Sequence, residues 1–279
     1  MEGLEGVDIQ LFVGIPNMRK IVKSQSDKLQ AGDSNQQYLV FKPVREDDLA
    51  KIDCARHNIG KHTRMTHYTD TNLLIVKLMP SAKHEAAHLQ LARSMDIRVI
   101  KMGMSEYDLY SLGGTRFYGR NSSKEGDSAY KPLPSRRNEI DWPTIVFESG
   151  LSESLRRLRS DARWWLKNSR GDVKIVIIIS IKPVQSMLRI EKWELAPVNR
   201  RRPSTRAVPN NPNILPQNRP QIPTKIQEIT IVPNTVTGAP LILEFEKIFL
   251  RPAVLPESDI IFTGQELSDW GAGFWRCLQ

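Results

Sequence analysis

The most explicit chemical signature in the chain is His84-Glu85-Ala86-Ala87-His88. On a helix this spacing puts two imidazoles on one face as zinc ligands, with the glutamate beside them as general base. A zinc metallopeptidase centred on His84, Glu85 and His88 is thus a third-ranked reading, against which its surroundings argue. Leu91 and Ser94 stand where the extended pattern needs glycine and a third histidine. Glu106, the nearest later acid that could complete the site, follows a segment (IRVIKM, 97–102) that alternates like a strand. His57, His62 and His67 recur at five-residue intervals. That spacing fits neither a helix face nor a finger, so surface or loop positions are expected.

Charge is the second signal. The 279 residues carry 40 Lys and Arg against 31 Asp and Glu, a net +9. From Leu151 to Arg206 there are 14 basic and five acidic residues, and the rest of the chain holds 26 of each sign. A basic excess confined to one quarter of a sequence is the footprint of a polyanion partner, nucleic acid above all, or else of a solvated face and a basic linker. Arg156, Arg159, Arg163 and Lys167 fall on one helical stripe that could track phosphates, and RRRPSTR (200–206) adds non-specific attraction. Trp164 and Trp165 read as core residues rather than nucleobase platforms. No phosphate-cradling glycine loop, dinucleotide fingerprint or Ser-His-Asp arrangement is present.

Several elements must position these groups. Asn72–Met79 reads as a strand; Pro80-Ser81 opens a helix to about Met95. A strand region follows Gly113-Gly114, from Thr115 to as far as Asp127, and Thr144–Glu148 is a short buried strand. Ser152–Lys167 is the clearest helix, with Leu155, Leu158, Ala162, Trp165 and Leu166 on one face. Val173–Ile181 is apolar on both faces, as in a central strand, and Leu188–Trp193 pairs with it as a hairpin. Residues 1–71 are weakly patterned apart from a helix at Glu46–Arg56, and read as an N-terminal extension packing on the core. A core over 72–195 is followed by an exposed linker or loop at 196–224, which holds seven of the 18 prolines, and by a C-terminal β extension over 225–279. In that extension Lys225–Val232 and Pro240–Leu250 read as strands, with a terminal helix from Thr263 or Ser268. The expected class is α/β (α+β): a mixed central sheet flanked by helices, in the order αβββαβ.

That order, with KEGDSAYKP (124–132), DWPTIVFESGLSESLRRLRSDARWWL (141–166), VKIVIIISI (173–181) and LILEFEKIFLRP near the end, resembles the restriction-endonuclease-like PD-(D/E)XK superfamily. Within it, the chain resembles an uncharacterised fungal nuclease-like family and, more distantly, bacterial stand-alone restriction endonucleases. The resemblance implies that Asp127 is the Asp of the first motif and Glu148 the acid ending the central strand, with Glu85 completing a Mg²⁺ (or Mn²⁺) site. Such a cation lowers the pKa of a water and neutralises the scissile phosphate. The chain departs from the pattern at Gly150, where the motif lysine belongs. The resemblance then leaves Arg159, Arg163 or Lys124 to supply the missing charge. Arginine is a poor general base, so either a metal-dependent nuclease or a silent nuclease-fold interaction module is implied. Taken alone, Asp127 reads as a turn residue, Glu148 as a ligand of helix amides, and Glu85 as a partner of a helix dipole. Asp141, seven residues before Glu148, ranks below Asp127 as a ligand.

Other classes are excluded or left open. No apolar run approaches the ~18–20 residues of a membrane span. Two distant cysteines, Cys54 and Cys277, exclude a disulfide scaffold. With an acidic start unlike a leader, they predict an intracellular protein, nuclear or cytoplasmic. A dimer is expected if the substrate is a duplex cut on both strands.

Overall fold

The computed structural model describes residues 2–60, 63–78, 82–151, 155–197 and 220–276, with backbone only at 82–84. The N-terminal elements are β1 (Ile9–Leu11), α1 (Ile15–Ala31), β2 (Tyr38–Lys42), α2 (Glu46–Cys54), α3 (Arg56–Ile59), β3 (Thr63–Tyr68) and β4 (Leu73–Leu78). The middle holds α4 (Ala82–Lys101), β5 (Leu109–Ser111), β6 (Arg116–Tyr118), β7 (Ser122–Glu125), β8 (Ser128–Pro132), β9 (Ile145–Leu151), α5 (Leu155–Asn168), β10 (Ile175–Lys182) and β11 (Met187–Pro197). The chain closes with β12 (Gln221–Val232), β13 (Thr235–Thr237), β14 (Leu241–Leu243), α6 (Phe245–Phe249), β15 (Ile260–Phe262) and α7 (Gly264–Arg276).

These form two principal sheets. The first has six strands in the order β1-β2-β4-β3-β7-β6, and the second has seven, β13-β12-β11-β10-β9-β8-β5. The second sheet is mixed: β9 and β10 are parallel across the α5 crossover, while β8–β9 and β10–β11 are antiparallel. Its spine follows the expected succession of helix, three strands, helix and strand: α4, β5, β8, β9, α5, β10. The fold class is thus as expected, a mixed α/β protein with helices on both faces of a mixed sheet.

Strict alternation divides the second sheet. Ile145 and Phe147 of β9, with Ile175, Ile177, Ile179 and Ile181 of β10, pack with Ala87, Leu91, Met95 and Val99 of α4. Val146, Val176 and Ile178 face the other way, onto Leu158, Ala162 and Trp165 of α5. Glu148 follows the second set.

Three expectations need correction. The segment 97–101 is helix, because Leu91, Met95 and Val99 continue the four-residue spacing of Ala87 and bury one face. Its local alternation leaves Ile97 and Ile100 about half exposed. Pro240–Leu250 is a three-residue strand followed by α6, with Phe245, Ile248 and Phe249 buried at helical spacing. The extension expected to pack on the core is built into it, since β1, β2 and β3 share a sheet with β4, β6 and β7; the boundary at residue 72 runs through that sheet. Most of the proline-rich segment lies outside the described residues, as do His62, Pro80-Ser81, Ser152 and RRRPSTR. Its ends meet: Pro197 pairs with Gln221, so of the two alternatives, linker or loop, the segment is the loop that joins β11 to β12. Among the described residues no helix is long and apolar enough to cross a membrane.

Candidate functional site

Asp127 and Glu148 come together where the two sheets meet. Asp127 precedes β8, and the Ser149 amide donates to its Oδ2 at 2.7 Å. Between the two acids lies Lys77 of β4, from the other sheet. Its Nζ is 2.7 Å from Asp127 Oδ2 and 3.3 Å from Glu148 Oε2. Lys124 of β7 lies 3.3 Å from Glu148 Oε1 and 3.2 Å from Asp161 Oδ1 on α5. Arg157, one helical turn before Asp161, binds it at 2.7 Å. The Trp165 indole donates to Glu148 Oε1 at 2.7 Å. All six charged side chains are at most 4% exposed.

The electrostatics follow from burial and pairing. Burial opposes the charge on Lys77, yet Asp127 and Glu148 outweigh it and hold the ammonium above the usual lysine range. Burial would raise Asp161, but Arg157, Lys124 and Lys77 prevail and hold it low. For Glu148 burial wins over Lys124 and Lys77, and its carboxyl lies above the ordinary value. Among the described residues three cations face three acids in this cluster.

A Mg²⁺ site does not fit these residues. Mg²⁺ keeps several waters and binds carboxylates that are free to give up charge to it. Here both acids are fully enclosed and already paired with lysines. Glu85 does not complete a ligand set: α4 packs on the Phe147 face of the sheet, whereas Glu148 lies on the α5 face. Among the described residues no group of three His, Cys, Asp or Glu side chains could hold a metal ion.

The basic stripe is also engaged. Arg159 grips Glu191 of β11, with Nε 3.1 and 3.0 Å from its two oxygens, and does not reach Glu148. Arg163 pairs with Glu2 at 2.5 Å and lies over the Trp193 ring. Arg156 pairs with Glu5 at 3.3 Å, and Lys167 is exposed. Neither arginine proposed to replace the motif lysine therefore stands at the acids. Lys124, the third candidate, does. Trp164 and Trp165 are buried, as expected for core residues.

Of the HEAAH pair, the His84 side chain lies outside the described residues. His88 is buried with Nδ1 2.8 Å from Ser128 Oγ, and burial lowers its pKa. Because α4 stays helical to Lys101, it carries the chain ~20 Å beyond His88 before Glu106, at 1.5 Å per residue.

Two residues escaped the sequence reading. Lys77 is the lone charge in LLIVKL, and a lysine inside a buried strand demands a buried counter-charge. His67, expected on the surface, is fully buried in β3 with Nε2 2.7 Å from the Val44 carbonyl oxygen.

No protein-family model matches the chain, and no curated protein does. Among solved structures it is similar to a protein of Anabaena variabilis described as "a putative nuclease belonging to DUF820". The two are 13% identical, with a TM-score of 0.40 over 75% of this chain and 90% of that one. At that distance the likeness says nothing of activity.

Proposed function

We propose that this chain is a nuclease-like α/β protein that associates with nucleic acid and does not cut it. One observation carries the reading: the two acids that the nuclease pattern would assign to a metal are closed into a balanced cluster with Lys77 and Lys124. Hydrolysis would need an approach path for a phosphate and for water, and a site able to accept two further positive charges. Neither fits side chains with essentially no exposure. Nucleic-acid association is supported by the net charge of +9 and its concentration in Leu151–Arg206.

A second reading is favoured by one feature. Asp127, Glu148 and Lys77 reproduce in space the acid–acid–lysine set that Gly150 breaks in sequence. Opened by substrate, the set could bind metal and cut. Labelled single- and double-stranded DNA and RNA, incubated with Mg²⁺ or Mn²⁺, separate the two. The expected result is binding that weakens with salt and no cleavage. Cleavage that disappears in well-folded Asp127→Asn and Glu148→Gln would replace the first reading with the second.

A further inference from the structure

The segment 2–7 (EGLEGV) lies outside the helices and strands, and it engages two of the four basic side chains of the α5 stripe. Glu5 pairs with Arg156 at 3.3 Å and Glu2 with Arg163 at 2.5 Å, so the segment runs antiparallel to the helix. Two features seat it there. Leu4 is buried with Tyr38, Val40, Leu73 and Ile75, an apolar cluster separate from the larger cores. Gly3 has φ +74° and lies directly against the first turn of α5, where a Cβ would stand 2.4 Å from the Arg157 amide nitrogen.

These pairs differ in kind from the others that α5 makes. Arg157 and Arg159 bind Asp161 and Glu191, acids with at most 1% exposure, which tie both arginines into the interior. Glu2 and Glu5 are half exposed, and among the described residues they are the only acids paired with Arg163 and Arg156. Exposed pairs contribute little to stability and weaken with salt. Arg163 has a second support, since its guanidinium lies over the Trp193 ring. Lys167, exposed, continues the same line one turn further along the helix. The segment itself is a small polyanion: Glu2, Glu5 and Asp8 precede the first basic residue of the chain, Arg19.

We infer that the line of Arg156, Arg163 and Lys167 is the surface that takes a nucleic-acid backbone, and that residues 2–7 cover it as an acidic strap which the phosphates displace. The inference rests on the proposal that this chain associates with nucleic acid, and adds where the contact is made and what competes for it. Phosphates would replace two half-exposed carboxylates on the same guanidinium groups, which suit either partner. Displacement gives up the Leu4 contact, so the strap holds affinity below what the bare stripe would deliver.

The test is fluorescence-anisotropy titration of labelled single- and double-stranded DNA and RNA with the full chain and its variants, at several salt concentrations. Gly3→Ala lifts the strap without changing any charge, and a Glu2→Gln, Glu5→Gln double variant keeps the strap and removes its carboxylates. Amide hydrogen exchange over residues 2–7 reports the displacement. Both proteins should bind roughly threefold more tightly than the wild type or better, the scale of two exposed ion pairs that no longer compete. The gain should vanish when Arg156→Gln and Arg163→Gln are added. In the Gly3→Ala background those two changes should also flatten the salt slope on duplex DNA by about 1.8, at ~0.9 per phosphate contact. Binding that is unchanged in both strap variants, or a gain that survives loss of the two arginines, overturns the inference and leaves the association with nucleic acid standing. Binding by none of the proteins overturns that association, and the inference with it.

Discussion

Substituting Lys77 by methionine keeps the length of the side chain and removes the positive charge between Asp127 and Glu148. The cluster then holds three acids and two cations without solvent. Breaking a buried ion pair by removing one partner costs ~3–5 kcal/mol, because the remaining charge stays buried and uncompensated. At ~2–4 °C per kcal/mol for a chain of this size, Tm should fall by roughly 6–20 °C. Adding Asp127→Asn restores the balance, and the amide oxygen can still accept the Ser149 N–H. The double variant should therefore recover ~1–3 kcal/mol relative to the sum of the singles, the range expected for residues in direct contact. Denaturant titration of the four proteins closes this cycle.

Acidity gives the same experiment a second readout. Glu148 already lies above its ordinary pKa because of burial, and losing Lys77 raises it further. A carboxyl raised in the folded state binds a proton on folding, so its penalty is present above the folded pKa and relaxes as pH falls toward the unfolded value. The cost of Lys77→Met should thus be larger at pH 8 than at pH 5. A cost below ~1 kcal/mol that is independent of pH would show a solvated cluster and refute the argument, since solvated pairs contribute little.

Three further outcomes follow from other parts of the molecule. Burial raises the Asp96 carboxyl to about 6 against the hydrogen bond from Tyr130, so Asp96→Asn should stabilise the protein near pH 8 and lose that advantage near pH 4; as the group is only partly buried, about 1 kcal/mol is expected in paired melts. Gly238 has φ +83°, and a Cβ there would stand 2.1 Å from the Glu228 carbonyl oxygen, so Gly238→Ala should cost ~2 kcal/mol or more in urea denaturation. Arg159→Ala should cost ~1.5–3 kcal/mol by weakening the support of buried Glu191, and should leave the salt slope of nucleic-acid binding unchanged rather than ~0.9 shallower, as loss of a phosphate contact would.

What could be read from the sequence follows the range of the forces involved. The α5 stripe and the apolar β10 run declare themselves because one face or both are buried over a long stretch. Asp127 and Glu148 were paired by motif, and they do meet. IRVIKM misleads because six residues fit two periods, and only the spacing back to Ala87 decides between them. The N-terminal strands were faint because β1 is short and half-exposed, and gains its place from Val40, Phe41 and Lys42 of β2. Lys77 and His67 were hidden for a different reason. Each is a single polar residue whose meaning depends on partners 50 or more positions away or on backbone carbonyls, which no local pattern encodes.

The placement of the charges gives the acid pair a structural role where no metal fits. Lys77 and Lys124 come from one sheet, Glu148 from the other, Asp127 from the short link between β7 and β8 that joins the two, and Asp161 and Arg157 from the helix that covers the second. Gln37 of the N-terminal part accepts the Leu151 amide at 2.8 Å along the same seam. Apolar contact alone would let one sheet slide on the other at little cost, because hydrophobic burial is non-directional. Ion pairs without solvent tolerate no such slip, since moving any member leaves a buried charge unmatched. The acids and lysines therefore fix how the six-stranded sheet sits on the seven-stranded one. Opening the cluster to a phosphate would take apart the contact that aligns the two sheets.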